Sequence, residues 1–387
     1  MEIIKGISFL MLVWIRWGVH GSPMCTLGDF DDQVQYLLVS EMLDPVEIQQ
    51  IDLMIVKFQE KLRTRWDGAN LLLYGSLMIG IGLKTSDVDL HLQIPNYNNT
   101  ADAYVFYETA KLLHTEPGTY STIQLKYNAV GPMITFYDHS TKRFIDVNCN
   151  SRVRMEKLRL IGYYLRLDKR HIQLTTIVKL WAKVNKLTGG TLHSYPVYLL
   201  VVFYLQQKKM APSVYEMQAS MPPGLLRKYN TDYEKLPFTV VNNETLYDLL
   251  GGFFKYYADF NYEEYCVSPH VGRPVAKIDF DSEKTAPKEF LLYEEYMETV
   301  AIQPMVNEVL CVQDVLSHRN ILRKANAEFD SHFINIFKDA AKKYDEIPKE
   351  KFLRSIFKVD GDKDISKVGE NVEVYETLKL IDCFDNV

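Results

Sequence analysis

Gly75-Ser76-Leu77-Met78-Ile79-Gly80-Ile81-Gly82-Leu83-Lys84-Thr85-Ser86-Asp87-Val88-Asp89-Leu90 decides how this chain is read. The apolar run Leu71-Leu72-Leu73-Tyr74 just before it has the character of a short buried strand. Asp87-Val88-Asp89-Leu90-His91-Leu92 alternates polar and apolar residues, the pattern of a second strand. Side chains of a strand alternate between its faces, so Asp87 and Asp89 project together. Two carboxylates held side by side repel, and divalent cations offset that charge. Paired ions about 3.5–4 Å apart suit phosphoryl or nucleotidyl transfer. Taken alone, Asp-x-Asp fits a glycine turn and a solvent-facing strand equally well.

A third carboxylate narrows the choice. Pro132 to Tyr137 and Phe144 to Asn148 are strand-like and flank the polar turn cluster Asp138-His139-Ser140-Thr141-Lys142. Asp146 lies inside the second of these apolar strands, where an unpaired charge is costly. A third carboxylate facing metal explains it better than a structural ion pair.

With Gly75-Ser76, Ser86-Asp87-Val88-Asp89-Leu90 and the strand residue Asp146, the chain resembles the nucleotidyltransferase superfamily that includes DNA polymerase beta. More narrowly, it resembles the terminal uridylyltransferases and their poly(A)-polymerase relatives, from Asp29 to Ala340. The resemblance implies an α/β (α+β) nucleotidyltransferase palm with a mixed sheet, joined to a mainly helical central, PAP-associated domain, with a cleft between the lobes. It implies Mg²⁺, or Mn²⁺, held by Asp87, Asp89 and Asp146, and template-independent addition of nucleotides to an RNA 3′ end. Gly75 and Ser76 are then donors to the nucleotide's phosphates.

Downstream segments carry the narrower resemblance. Residues Ile172 to Leu187 pattern as an amphipathic helix, with Ile177, Leu180, Trp181, Val184 and Leu187 forming an apolar stripe. Lys179, Lys183 and Lys186 fall on another face. In the resembled family the first two lysines of K-x-W-A-K contact the incoming triphosphate; a solvated lysine face is the plain alternative. Gly190-Thr191-Leu192-His193-Ser194-Tyr195 matches the family's G-T-L-S-S-Y, in which Ser194 would hold phosphate and Tyr195 would stack on the base. The family's L-C-[VI]-[EQ]-D-P-F-x-x-S-H-N-V stretch is worn here to Leu310-Cys311-Val312-Gln313-Asp314-Val315-Leu316-Ser317-His318-Arg319-Asn320. His318 or Arg319 would read a uracil edge, so the resemblance leans slightly to UMP. Positions that usually hold a ribose-contacting Asn are Ser151 and Lys157 here, leaving Asn148 or Asn150 as substitutes. Tyr164, Asp168 and Arg170 follow the family's Y-x3-D-x-R pattern.

Composition sets the remaining bounds. The 387 residues are 47% hydrophobic and suffice for two or three lobes. The five cysteines are scattered without a C-x-x-C pair, so neither a disulfide framework nor a zinc site is expected. Net charge is −6, yet residues 151–190 hold ten Lys or Arg against two acids. Such a stretch, directly after the third aspartate, is where RNA and triphosphate need cations. The apolar run Gly6 to Ile15 is too short to span a bilayer and reads as a packing segment. Asp360-Gly361-Asp362-Lys363-Asp364 is rejected as a calcium loop, because Ile365 and Asn371 occupy its required Gly and Glu positions.

The expected organisation is a leader over 1–28, N-terminal helices packing on the helical lobe over 29–62, and the catalytic domain over 63–163. The helical domain follows over 164–345, then a charged tail over 346–387. The expected partners are an RNA 3′ end and UTP or ATP, with no DNA, no membrane, and a protein partner that selects the RNA. The expected location is intracellular, in the cytoplasm, with the mitochondrion and the nucleus as alternatives. The alternatives are an ATP-using poly(A) polymerase, a catalytically inactive RNA-binding relative, and a nucleotidyltransferase acting on a small molecule or protein.

Overall fold

Asp44-Pro45-Val46-Glu47 starts a helix as its residue types require. The Asp44 carboxylate accepts from the Glu47 amide at 2.8 Å, and the Glu47 carboxylate accepts from the Asp44 amide at 3.0 Å. The structure is a computed structural model that describes residues 28–95, 102–128, 131–149, 152–188, 193–220, 225–226, 229–235, 237–280, 289, 308–316, 319–322 and 325–357. Its described residues divide into two units, one containing residues 39–162 and one containing residues 28–38 together with those from 163 onward.

The first unit is a mixed five-stranded sheet in the order β1-β2-β5-β4-β3. Its strands are β1 (Asn70–Tyr74), β2 (Val88–Gln93), β3 (Tyr120–Asn128), β4 (Gly131–Asp138) and β5 (Arg143–Asn148). Only the β2–β5 pair runs parallel. The first helix of the chain, α1 (Phe30–Glu41), precedes α2 (Pro45–Arg63), and the short α3 (Gly75–Met78) follows β1. The helix α4 (Asp102–His114) precedes β3. One face of the sheet is apolar: Val88, Leu90, Leu92, Ile134, Phe136, Ile145 and Val147 pack with Ile51, Met54, Phe58 and Leu62 of α2. This corrects the expectation that the helix from Asp44 packs on the helical lobe; its apolar stripe belongs to the sheet. In contrast, α1 packs in the second unit, where Phe30 meets Tyr247 at 5.2 Å. The polar cluster after β4 closes a tight turn, with Asp138 accepting from Ser140 and from both the amide and the hydroxyl of Thr141.

The second unit is helical. The chain enters it along α5 (Arg152–Leu165) and continues through α6 (Lys169–Val184), α7 (Tyr195–Gln207), α8 (Val214–Gln218), α9 (Leu246–Ala258), α10 (Ala327–Glu346) and α11 (Lys349–Phe357). Aromatic rings form its core. Trp181 lies 4.7 Å from Phe254 and 4.9 Å from Phe337, and Tyr257 donates to the Leu200 carbonyl. Gly251 allows the close approach of α10, since a Cβ there would stand 2.1 Å from the Tyr344 ring. The tail expected from 346 is folded through 357, because Phe352, Leu353, Ile356 and Phe357 are apolar at helical spacing and buried. Among the described residues no helix is long and apolar enough to cross a membrane. The apolar run before residue 28, and residues 358–387, lie outside the described residues.

One expectation from the cysteines fails. Cys266 and Cys311, 45 residues apart, form a disulfide in the second unit. The backbone bridge between Val267 and Val312 brings their two segments side by side, a long-range pairing that spacing could not reveal.

Two outcomes test this architecture. Phe58 is fully buried against Tyr120 and Phe136, so Phe58→Ala costs about 3–5 kcal/mol in urea unfolding of the sheet unit. In the helical unit His171 and His270 are held neutral, their pKa values lowered first by burial. For His171 the Arg170 charge adds to that lowering, while the Tyr164 carbonyl and Asp168 oppose it. The unfolded chain therefore binds more protons below about pH 6.5, and stability is full above that value and declines as pH falls through it. Thermal melts between pH 7.5 and 5 register this decline, and His171→Gln shallows it.

Candidate active site

Strand register assembles the three aspartates. β1 pairs antiparallel with β2 so that Tyr74 faces Asp89, and β2 pairs parallel with β5 so that Asp89 faces Asp146. Because Val88, Leu90, Ile145 and Val147 point into the core, Asp89 and Asp146 share the opposite face, and Asp87 lies two residues back on that side. Asp87 is exposed, while Asp89 and Asp146 are half-buried.

The backbone is shaped around these carboxylates. Gly75 has φ +75°, and a Cβ there would stand 2.0 Å from Asp89 Oδ2. Only glycine fits, on both counts. The turn that follows is tied by Ser86, whose hydroxyl accepts from the Leu83 amide at 3.0 Å and lies 3.5 Å from that of Ser76. The helix α3 that Gly75 and Ser76 begin spans four residues, so the phosphate donors expected there are individual groups rather than a long helix end.

Two supporting groups escaped the sequence reading. Arg143 is buried and donates to the carbonyls of Lys84 and Ser86, while its other nitrogen pairs with Glu47 at 2.9 Å. It thereby clamps the segment that delivers Asp87. Tyr74 accepts from the Asn148 amide, and its phenol is pushed well up, first by burial and then by the Asp89 charge, with Arg154 opposing. Asn148, offered from sequence as a ribose contact, is buried; its amide nitrogen donates to Tyr74 and its Oδ1 has no hydrogen-bond partner among the described residues. An arginine at the end of a polar turn and a tyrosine at a strand end carry no spacing signal of their own.

The residues fit a divalent cation. Asp146 Oδ1 is buried with no hydrogen-bond partner among the described residues, an arrangement that is costly for an oxygen with nothing to bind. Among the described residues no group of three or more His, Cys, Asp or Glu side chains, the three aspartates included, is placed to hold a metal ion by itself. Mg²⁺ does not ask for such a group, since it takes one or two carboxylates and completes its shell with substrate phosphates and water.

In the helical unit, Lys179 and Lys183 lie one turn apart on α6, and Lys179 is only 8% exposed. Lys186 departs from the expected face: α6 ends at Val184, and Lys186 takes φ +59° beyond the cap. Asp168 caps α6 through the Arg170 amide and pairs with the Arg170 guanidinium at 2.6 Å. Arg170 also donates to the carbonyls of Asn242 and Glu244, so the Y-x3-D-x-R pattern is architectural. Of the basic stretch, Arg159 and Arg170 are occupied by ion pairs. Ser194 stands at the N-cap of α7 without making a capping hydrogen bond. Tyr195 is half-buried at the start of α7 and donates to Asp314 at 2.9 Å, which fixes its ring. Asn320 pins the worn segment by accepting from Val312 and Leu322 and donating to Leu310. His318, Ser151 and Asn150 lie outside the described residues.

Residues 30–166 match the model of the poly(A) RNA polymerase, mitochondrial-like, central palm domain, and residues 245–320 match the Cid1 family poly A polymerase model. Two separate segments of the chain are thus similar to domains of poly(A) polymerases, the second to those of the Cid1 family. It is 30% identical over 231 residues to Poly(A) RNA polymerase gld-2 homolog A of Drosophila melanogaster, covering 56% of this chain and 17% of that protein. It is 27% identical over 254 residues to Poly(A) RNA polymerase GLD2-B of Xenopus laevis, covering 60% of this chain and 48% of the relative. The chain thus spans half or less of the length of these relatives. In fold it is similar to mtPAP in complex with UTP, with a TM-score of 0.72 at 18% identity over 86% of this chain and 73% of that one. It is also similar to the Cid1 poly(U) polymerase, with a TM-score of 0.68 at 20% identity over 84% and 98%.

The glycine cradle yields a direct test. Gly75→Ala displaces the Asp89 carboxylate, and calorimetric titration with Mn²⁺ records an affinity about tenfold weaker than that of the wild-type chain.

Proposed function

We propose that this chain extends RNA 3′ ends without a template, transferring nucleoside monophosphates from nucleoside triphosphates. The observation that carries this reading is the register of Asp89 beside Asp146, with Asp146 Oδ1 buried and unpartnered and Gly75 shaped around Asp89. The RNA 3′-hydroxyl attacks the α-phosphorus; its bond to the bridging oxygen breaks, and pyrophosphate leaves. Asp87, Asp89 and Asp146 would hold Mg²⁺ or Mn²⁺. When bound, such ions polarise the α-phosphate and lower the pKa of a hydroxyl.

The chain's own residues do the remaining work. Gly75 and Ser76 donate to phosphate oxygens. Lys179 and Lys183 neutralise the triphosphate, and the uncommitted Ser194 hydroxyl donates to it. The ring of Tyr195, fixed by Asp314, stacks on the base. No side chain acts as a nucleophile. We assign the reaction to the cytoplasm, where RNA and nucleoside triphosphates occur together, and assign choice of RNA to a protein partner.

For the base we favour adenine, because the curated relatives named above are poly(A) polymerases. Uridine rests on His318 or Arg319 in a worn segment. A labelled single-stranded RNA, offered Mg²⁺ and each nucleoside triphosphate separately, decides between them. The expected outcome is extension chiefly with ATP, and no detectable extension by Asp87→Ala or Asp89→Ala. Extension with UTP alone makes the chain a uridylyltransferase, and activity surviving in either variant overturns the site.

A further inference from the structure

The open face of the sheet carries more than carboxylates. Along β5, Ile145 and Val147 turn into the core, and Phe144 and Asp146 turn the other way. Cross-strand pairing sets Tyr137 opposite Phe144 and Thr135 opposite Asp146. The Tyr137 and Phe144 rings meet edge to face at 5.3 Å, and the exposed His139 adds a ring 5.2 Å from Tyr137. Val88 pairs with Ile145, so Asp87, one residue earlier, stands level with Phe144. An aromatic cluster therefore continues the row of aspartates, displaced from Asp146 by two strand residues, about 6.6 Å.

Phe144 is 40% exposed, whereas Phe58, Phe106 and Phe136 of the same unit are fully buried. A lone exposed apolar side chain needs no explanation. This one is backed by a second ring, lies on the face that bears the aspartates, and adjoins the exposed Lys142 and, through the Arg143 clamp, the exposed Lys84. A ring face beside cations matches a single-stranded nucleic acid, whose bases stack on aromatics and whose phosphates seek lysine. The separation from the carboxylates is comparable to that between a ribose 3′-hydroxyl and its own base.

We propose that Phe144, backed by Tyr137, is a stacking platform for a nucleobase at the 3′ end of the RNA being extended, with Lys84 and Lys142 meeting its phosphates. The assignment rests on the RNA-extending reading above. Every base has a π face, so such a platform accepts any terminal sequence, as an enzyme without a template requires.

The test uses the full chain and a fluorescein-labelled single-stranded RNA of mixed sequence. Anisotropy without nucleotide gives the RNA Kd, and primer extension gives KM for RNA and for the nucleoside triphosphate. In Phe144→Ala both RNA constants rise about fivefold or more while KM for nucleotide shifts by less than about twofold. Phe144→Trp restores RNA affinity, and Phe144→Leu, which keeps apolar bulk without a ring face, does not. Unchanged RNA affinity in Phe144→Ala overturns the platform. So does a rise confined to the nucleotide KM, which places the ring under the incoming base, and so does full affinity in Phe144→Leu, which reduces it to an apolar contact. If the wild type binds RNA in a Phe144-dependent way but extends none, the catalytic reading falls and the platform stands. If the wild type binds no RNA, both fall.

Discussion

Like charges forced together by hydrogen-bond register are the constraint on which the sheet unit turns. Neighbouring strands stand about 4.8 Å apart, and at an effective dielectric constant near 20 two carboxylates at that spacing repel by about 3 kcal/mol. Slipping β2 against β5 by one residue would relieve this, but would also turn Val88, Leu90 and Leu92 out of the core. Burial of those side chains, each worth about 1.5–3 kcal/mol, outweighs the repulsion and holds Asp89 beside Asp146. The apolar face of the sheet thus imposes the charge density that a cation relieves on the other face.

The helical unit solves a different problem, that of keeping cations on a helix that is otherwise core. Almost every residue of α6 from His171 to Val184 is buried, Lys179 included. Asp168 and Arg170 start the helix and tie it to the carbonyls of Asn242 and Glu244, so the helix cannot rotate its lysines away. Trp181, in the middle of K-x-W-A-K, is gripped by Phe254 and Phe337. The motif therefore mixes anchoring and charge in adjacent letters.

What could be read from sequence had a local physical cause. The strands before and after the Gly-Ser turn, the capping box at Asp44 and the alternation around Asp146 are all written in neighbouring residues, and the structure places them as expected. What could not be read depended on partners far along the chain. The attachment of α2 to the sheet, the Cys266–Cys311 bond and the grip of Arg143 on residues 84–86 each join segments about 45 or more residues apart, or need the sheet order to be known. The bond from Asn148 to Tyr74 is hidden for the same reason, since its partner sits two strands away. The strand β3 and helix α4 carry no comparable local motif and are visible only in the folded chain.

Glu47 closes this circle of remote partners. One of its oxygens caps α2 at the Asp44 amide, and the other pairs with Arg143, which holds the turn before Asp87. A single carboxylate thus ties a helix end to the Arg143 clamp, beside the direct bonds from the Leu43 amide to the Gly82 carbonyl and from the Lys84 amide to the Glu41 carbonyl. Fraying of the first turn of α2 costs Arg143 its ion pair with Glu47, so the start of that helix and the segment before Asp87 are coupled in local opening. The start of α2 and residues 83–87, far apart in sequence, are thereby fastened at one point, and a change at either is transmitted to the other.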